Sequence, residues 1–267
     1  MWNICNMAWR IGDIIDIHEQ LEWIHQAGFD GVGFHASAGI AGHWRGVDPN
    51  AADKETRKRL REQIARFAMC EVHAPFAYEL AGESLHAKAK SLIPILDFAG
   101  DVGASIVTIH ADLPTSRSAE TCAVWQEVMQ GLNSQAAANQ VVIGLEMVRG
   151  FDWISAWHLS HIGVTLDVGH MYVIDQGEHL KPFGMLGDVI RHIDRGLVHL
   201  HVHDYNGVLD HIEVGTGCVD FHGMLQALKD IHYQGGMCLE MNPERVAPDG
   251  IKRSAGWLRQ HLGKLIE

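Results

Sequence analysis

Leu197-Val198-His199-Leu200-His201-Val202-His203 alternates an aliphatic residue with an imidazole and closes on Asp204. Successive side chains of a strand point to opposite faces, so Val198, Leu200 and Val202 fall on one side and the three histidines on the other. Similar endings recur along the chain. Val141-Val142-Ile143-Gly144-Leu145 stops at Glu146, Ile162-Gly163-Val164-Thr165-Leu166 at Asp167, and Met237-Cys238-Leu239 at Glu240. Cys70-Glu71-Val72 stops at His73, and Ile106-Val107-Thr108-Ile109 at His110. Short apolar runs of this kind read as buried strands. If the strands are parallel, their C-terminal ends share one face, and these six ends gather carboxylates and imidazoles at one point. That is the pattern of a metal site at the mouth of a barrel.

Working outward, helical periodicity fills the intervals. Strands are expected at Asn3 to Ala8 and Phe29 to Phe34, and helices at Asp16 to Ala27, Asp53 to Phe67, Ser84 to Val102 (kinked at Pro94), Ser118 to Asn139, Asp152 to Ser160, Phe221 to Tyr233 and Ser254 to Leu265. His170 to Asp194 mixes loop and helix. Eight strand–helix units in 267 residues predict an α/β fold, a closed (β/α)8 TIM barrel forming one domain over residues 1–267. An open doubly wound sheet accounts for the alternation equally well. It does not account for the convergence, because side chains on its distant strands could not meet.

Composition narrows the function. A formal net charge of -12 argues against a nucleic-acid partner, which needs clustered Lys and Arg. Five scattered cysteines without a Cys-x-x-Cys pair read as reduced core residues. The N-terminal stretch lacks the layout of a signal peptide, and no apolar run approaches the ~20 residues needed to span a bilayer. A cytoplasmic enzyme with no membrane partner is expected. The sequence leaves homo-oligomer formation open.

Unpaired buried carboxylates are costly, so Glu146, Asp167 and Glu240 should be neutral, paired or bound to a metal. Arg149 and Arg245 are the nearby cations that could pair with them. A divalent ion shared with a histidine is the simpler answer, and the oxygen-rich set favours Mn²⁺, Mg²⁺ or Co²⁺, with Zn²⁺ also compatible. Of the strand histidines, His199 is deepest and the best candidate for a structural role. Trp9, Trp44, Phe76, Trp153 and Tyr172 lie in or near loops of the same face, where they could stack on a sugar or pack on the rim. Gly215-Thr216-Gly217 is read as a tight turn rather than a phosphate loop.

In order, the chain carries Glu146, Asp167-x-x-His170, His201-x-His203-Asp204, His211-x-x-x-Gly215-x-Gly217 and Glu240. This set, between His73 and Glu240, resembles the xylose isomerase-like TIM barrel superfamily, which contains ketose 3-epimerases, hydroxypyruvate isomerases, inosose dehydratases and endonuclease IV. The resemblance implies one divalent metal ion on Glu146, Asp167, His201 and Glu240, with Glu146 and Glu240 also moving the proton. It implies that His170 touches the substrate, and Asp152 falls where the epimerases carry a glutamate near the substrate. His203 joins the expected substrate-binding set. Gly207 stands where the epimerases have an arginine. In the endonuclease branch, with its trinuclear zinc site, His73, His110, Glu146, Asp167, His170, His201, His211 and Glu240 all match ligands, but Leu209 replaces an aspartate and Asp210 is offset by one. DNA cleavage is therefore not expected. His73, His110 and His211 are read as hydrogen-bonding groups for a polar substrate, with a second metal on them as the alternative. The expected activity is isomerisation or epimerisation of a small sugar-like polyhydroxy carbonyl compound through an enediolate. Dehydration of an inosose-like substrate and multinuclear-zinc hydrolysis are the alternatives.

Overall fold

Eight parallel strands close into a barrel in the computed structural model, which describes residues 2–266. Met1 and Glu267 of the expected domain lie outside the described residues. The strands are β1 Asn3–Met7, β2 Gly31–His35, β3 Met69–His73, β4 Ile106–His110, β5 Val142–Glu146, β6 Ile162–Asp167, β7 Leu197–Val202 and β8 Gly236–Leu239, each paired in parallel with the next, and β1 with β8. The register shifts between Val164 and Thr165, where β6 meets β7.

Helices alternate with the strands: α1 Ile17–Gln26, α2 Lys54–Ile64, α3 Leu85–Val102, α4 Ala119–Ala138, α5 Asp152–Trp157, α6 His170–Val173, α7 Leu186–Ile193, α8 Phe221–Asp230 and α9 Pro248–Ile266. Their starts follow local capping chemistry. The side chains of Asp16, Asp53, Ser118 and Asp220 accept the free amides of α1, α2, α4 and α8. Gly103 closes α3 in the left-handed conformation. Among the boundaries that differ from the sequence reading, β2 runs on to His35, and α9 begins earlier at Pro248, where a first-turn proline needs no amide partner. As expected, α3 is one helix over Leu85–Val102 with Pro94 inside it.

The main core lies between barrel and helices. A second cluster, Cys5, Met7, Met69, Ile106 and Cys238, fills the barrel interior. Above it the interior turns polar. Thr108 Oγ1 lies 3.2 Å from Thr165 Oγ1, and Glu71, Thr108, Thr165, His199 and His201 are all fully buried. Two residues further along the strands come His73, His110 and Asp167. The barrel thus changes from apolar to ionisable from its N-terminal to its C-terminal end.

Candidate active site

Glu146 ends β5, Asp167 ends β6, His201 lies in β7 and Glu240 directly follows β8. All four are buried. Metal-competent atoms of Glu146, Asp167 and His201 lie within 4.8 Å of one another, and so do those of His73, His201 and Glu240. His201 is common to both groups. Its Nε2–H donates to Glu71 Oε1 at 2.6 Å, which leaves Nδ1 facing Glu240 Oε2 at 2.9 Å and Glu146 Oε2 at 3.5 Å. That buried Nδ1 makes no well-formed hydrogen bond. An imidazole nitrogen without a partner, set among buried carboxylates, fits a divalent cation.

The alternative of arginine pairing does not occur. Arg149 pairs with Asp112, and Arg245 with Asp210. Among the described residues, every ion-pair partner of Glu146, Asp167 and Glu240 is a histidine. Burial would raise the carboxyl of Glu146, but His110, His170, His201 and His73 hold it well below the usual range. Burial likewise opposes a charged His201, yet Glu71 and Glu240 push its pKa well above the ordinary histidine value. A proton and a cation compete for such a nitrogen, so a metal bound there would displace a proton.

The surrounding histidines divide by their contacts. His73 Nδ1–H donates to the Ala74 carbonyl at 2.8 Å, leaving Nε2 facing Glu146 Oε2 at 3.2 Å. His110 Nε2 is 3.6 Å from the same oxygen. His73, His110 and Glu146 form a third group of possible ligands. His170 stands at the start of α6, its backbone amide held by Asp167 Oδ1 at 2.8 Å and its Nδ1 between Glu146 and Asp167. Burial works against its charge, but Asp167 and Glu146 push its pKa up to about 10. His203 Nδ1 accepts the His211 amide at 2.9 Å, so Nε2 carries the proton and donates to Asp167 Oδ2 at 3.2 Å. His211 stacks on His203 with ring centroids 3.8 Å apart, and groups with Asp167, His170 and His203 rather than with His73 and His110.

Asp152 is not brought to this cluster. It starts α5, its side chain is 67% exposed, and it pairs with His192 at 2.9 Å. Asp204 works on the loop instead of the site. Its oxygens accept the amides of Gly215, Gly217, Tyr205 and Val219 at 2.7–3.1 Å. The Gly215-Thr216-Gly217 turn has therefore committed these amides internally. A Cβ on Gly217 would lie 2.2 Å from the Tyr205 carbonyl, so only glycine fits.

Two residues escaped the sequence reading. Glu71 is fully buried beneath His201, and counting back by two from His73 would have placed it inside the barrel. His35 lies against His73 with ring centroids 4.7 Å apart and planes tilted by 36°, and accepts a hydrogen bond from Trp9 Nε1; burial and His73 pull its pKa down to about 3. It was hidden because the expected strand stopped one residue short.

The cavity over this cluster measures about 360 Å³ and is lined by residues including Phe76, His110, Glu146, Arg149, Asp167 and His170. Trp9, His35 and Trp44 line a second cavity of about 320 Å³ on the opposite rim, whereas Trp153 is buried in the core. Among the described residues no helix is long and apolar enough to cross a membrane.

Comparison with known proteins places this geometry. The chain matches a D-allulose 3-epimerase from Methylomonas sp. over 98% of both chains at 20% identity, with a TM-score of 0.71. It matches an L-ribulose 3-epimerase over 99% of this chain and 95% of that one at 18% identity, with a TM-score of 0.74. At these identities the likeness is one of fold. A segment of 97 residues is 30% identical to an uncharacterized protein of Methanocaldococcus jannaschii, spanning 36% of this chain and 29% of that protein. Residues 21–261 match the model of one family, over most of the barrel and the whole ionisable cluster. The chain belongs to the xylose isomerase-like TIM barrel family.

Proposed function

We propose that this protein is a divalent-metal-dependent isomerase or epimerase of a small, sugar-like carbonyl compound. The observation that carries this reading is the pair of buried glutamates, Glu146 and Glu240, whose oxygens lie 3.5 Å and 2.9 Å from the same buried His201 nitrogen. Glu146, Asp167, His201 and Glu240 would hold the ion, with the metal drawn from Mn²⁺, Mg²⁺, Co²⁺ or Zn²⁺. When bound, the ion supplies Lewis-acid polarisation of the substrate carbonyl.

The chain's own groups then do the proton chemistry. One glutamate removes the proton from the carbon between carbonyl and hydroxyl, and the other returns one. Glu146 lines the cavity, and the two glutamates come from β5 and β8, separated by β6 and β7 around the ring, so they would approach a substrate held on the ion from different sides. That arrangement suits return to the opposite face, which is epimerisation. His170 donates from the cavity wall to a substrate oxygen, and His110, whose pKa is lowered mainly by burial, offers a second polar contact. A cavity of about 360 Å³ lies within the range of small-molecule sites, about 300–1,000 Å³. Similarity to solved sugar 3-epimerases supports the substrate class.

A second ion on His73, His110 and Glu146 is the alternative, supported by their possible ligand atoms lying within 4.8 Å of one another, with His73 Nε2 already 3.2 Å from Glu146 Oε2. A trinuclear hydrolase is disfavoured. Leu209 replaces the ligand aspartate, and Asp210 is engaged by Arg245. The test is purification without chelator, metal analysis, and a screen of ketoses, inososes and hydroxypyruvate in D₂O. Metal at about one ion per chain with solvent deuterium entering one substrate carbon is expected. Metal-free protein that neither binds added cations nor exchanges any substrate proton would refute the reading.

A further inference from the structure

We propose that Glu71 is a positioning residue that locks His201 with Nε2 protonated and Nδ1 turned into the metal cluster. This rests on the reading of His201 as a ligand.

Glu71 sits on β3 and reaches across the barrel interior to β7, a strand with which β3 does not pair. It is fully buried, where an unpaired carboxylate would cost several kcal/mol. Three donors satisfy it. Thr108 Oγ1 donates to Oε1 at 2.6 Å, His201 Nε2 to Oε1 at 2.6 Å, and His199 Nε2 to Oε2 at 2.9 Å. Both oxygens are thus held by groups on other strands, so the carboxylate has no freedom to swing. The space for it exists because β2 carries Gly33 at this level, where a Cβ would come within 3.1 Å of Glu71 Oε2.

The consequence falls on His201. Its Nε2 has one acceptor and must carry a proton; Nδ1 is then the nitrogen turned towards Glu146 and Glu240, and the one that would give up its proton to a cation. Metal-binding histidines commonly donate their second N–H to a carboxylate, which fixes the tautomer and raises ligand basicity. His199 anchors the other oxygen and so acts one step further away. None of these residues touches the cavity that would take the substrate.

Two measurements test this. Co²⁺ is titrated into chelator-stripped wild type and E71Q in competition with a chromophoric chelator, recording the visible Co²⁺ spectrum and the melting curve. The glutamine keeps the shape but loses the charge, and affinity should fall about 10–100-fold with an altered spectrum. A purely structural Glu71 would lower the melting temperature alone. The second measurement needs no variant. Wild type labelled with ¹⁵N-histidine is loaded with ¹¹³Cd²⁺, and coupling should reach Nδ1 of His201 but not Nε2. Unchanged Co²⁺ affinity and spectrum in E71Q, or coupling through Nε2, would overturn this proposal and leave the metal reading intact. Failure of wild type to bind either cation would remove both.

Discussion

Gly169, between Asp167 and His170, is a position where one methyl group should do damage without any backbone cost. Its φ of -72° and ψ of -38° are ordinary for alanine, so Gly169→Ala introduces no backbone strain. The added Cβ would instead meet the His203 ring, lying 2.0 Å from Cε1, 2.4 Å from Nδ1 and 2.7 Å from Nε2. That ring has little room to yield. It is fully buried, stacked on His211, and bonded at both nitrogens, to the His211 amide and to Asp167. Overpacking costs ~1–3 kcal/mol. Loss of the hydrogen bond to the Asp167 carboxylate adds ~1.5–3 kcal/mol. At ~2–4 °C per kcal/mol for a domain near this size, Tm should fall by roughly 5–20 °C. The double-mutant cycle with His203→Ala separates the two terms. His203→Ala loses the bond but makes room, so Gly169→Ala should add little on top of it, and the cycle should return a coupling near the whole Gly169→Ala cost, ~2.5–6 kcal/mol. A Gly169→Ala protein that melts within a degree of wild type, or an additive cycle, would refute the steric argument.

Glu146→Gln and Glu240→Gln should each stop net conversion while the barrel melts cooperatively; near-normal turnover in either would reduce that glutamate to a ligand. Deuterium exchange without net conversion in one of the pair would identify the returning group. His170→Ala should keep metal content and lose turnover, and loss of the metal in that variant would move His170 into the coordination shell. In chelator-stripped protein, the raised pKa of His170 has a definite sign. The charged pair with Asp167 and Glu146 stabilises fully below the unfolded value of 6.5 and is lost as pH rises towards about 10. Chemical denaturation across that window should show stability falling with pH, with a shallower fall in His170→Gln. Arg149→Ala removes a surface ion pair with both partners about half exposed, so stability should change by less than ~1 kcal/mol, and a larger loss would mean Arg149 serves the site.

Much of the barrel was determined by the sequence alone, because a parallel strand buried on both faces must be a short apolar run and its crossover helix must be amphipathic. Glu146, Asp167 and Glu240 were legible as polar stops on apolar runs, and His201 as one of the imidazoles alternating along β7. Tertiary structure decided what those side chains meet. Asp152 sits at the expected spacing from Glu146, yet the start of α5 turns it to solvent and His192. Arg149 and Arg245 are near the right carboxylates in sequence, but Asp112 and Asp210 on other loops take them. Glu71 looks like one charged residue inside a strand, and its role appears only when barrel closure carries β3 opposite β7 and sets His199 and His201 on its two oxygens. Periodicity along one strand assigns a side chain to a face. Hydrogen-bond partners across the barrel depend on closure and register, which are long-range properties that no local spacing encodes.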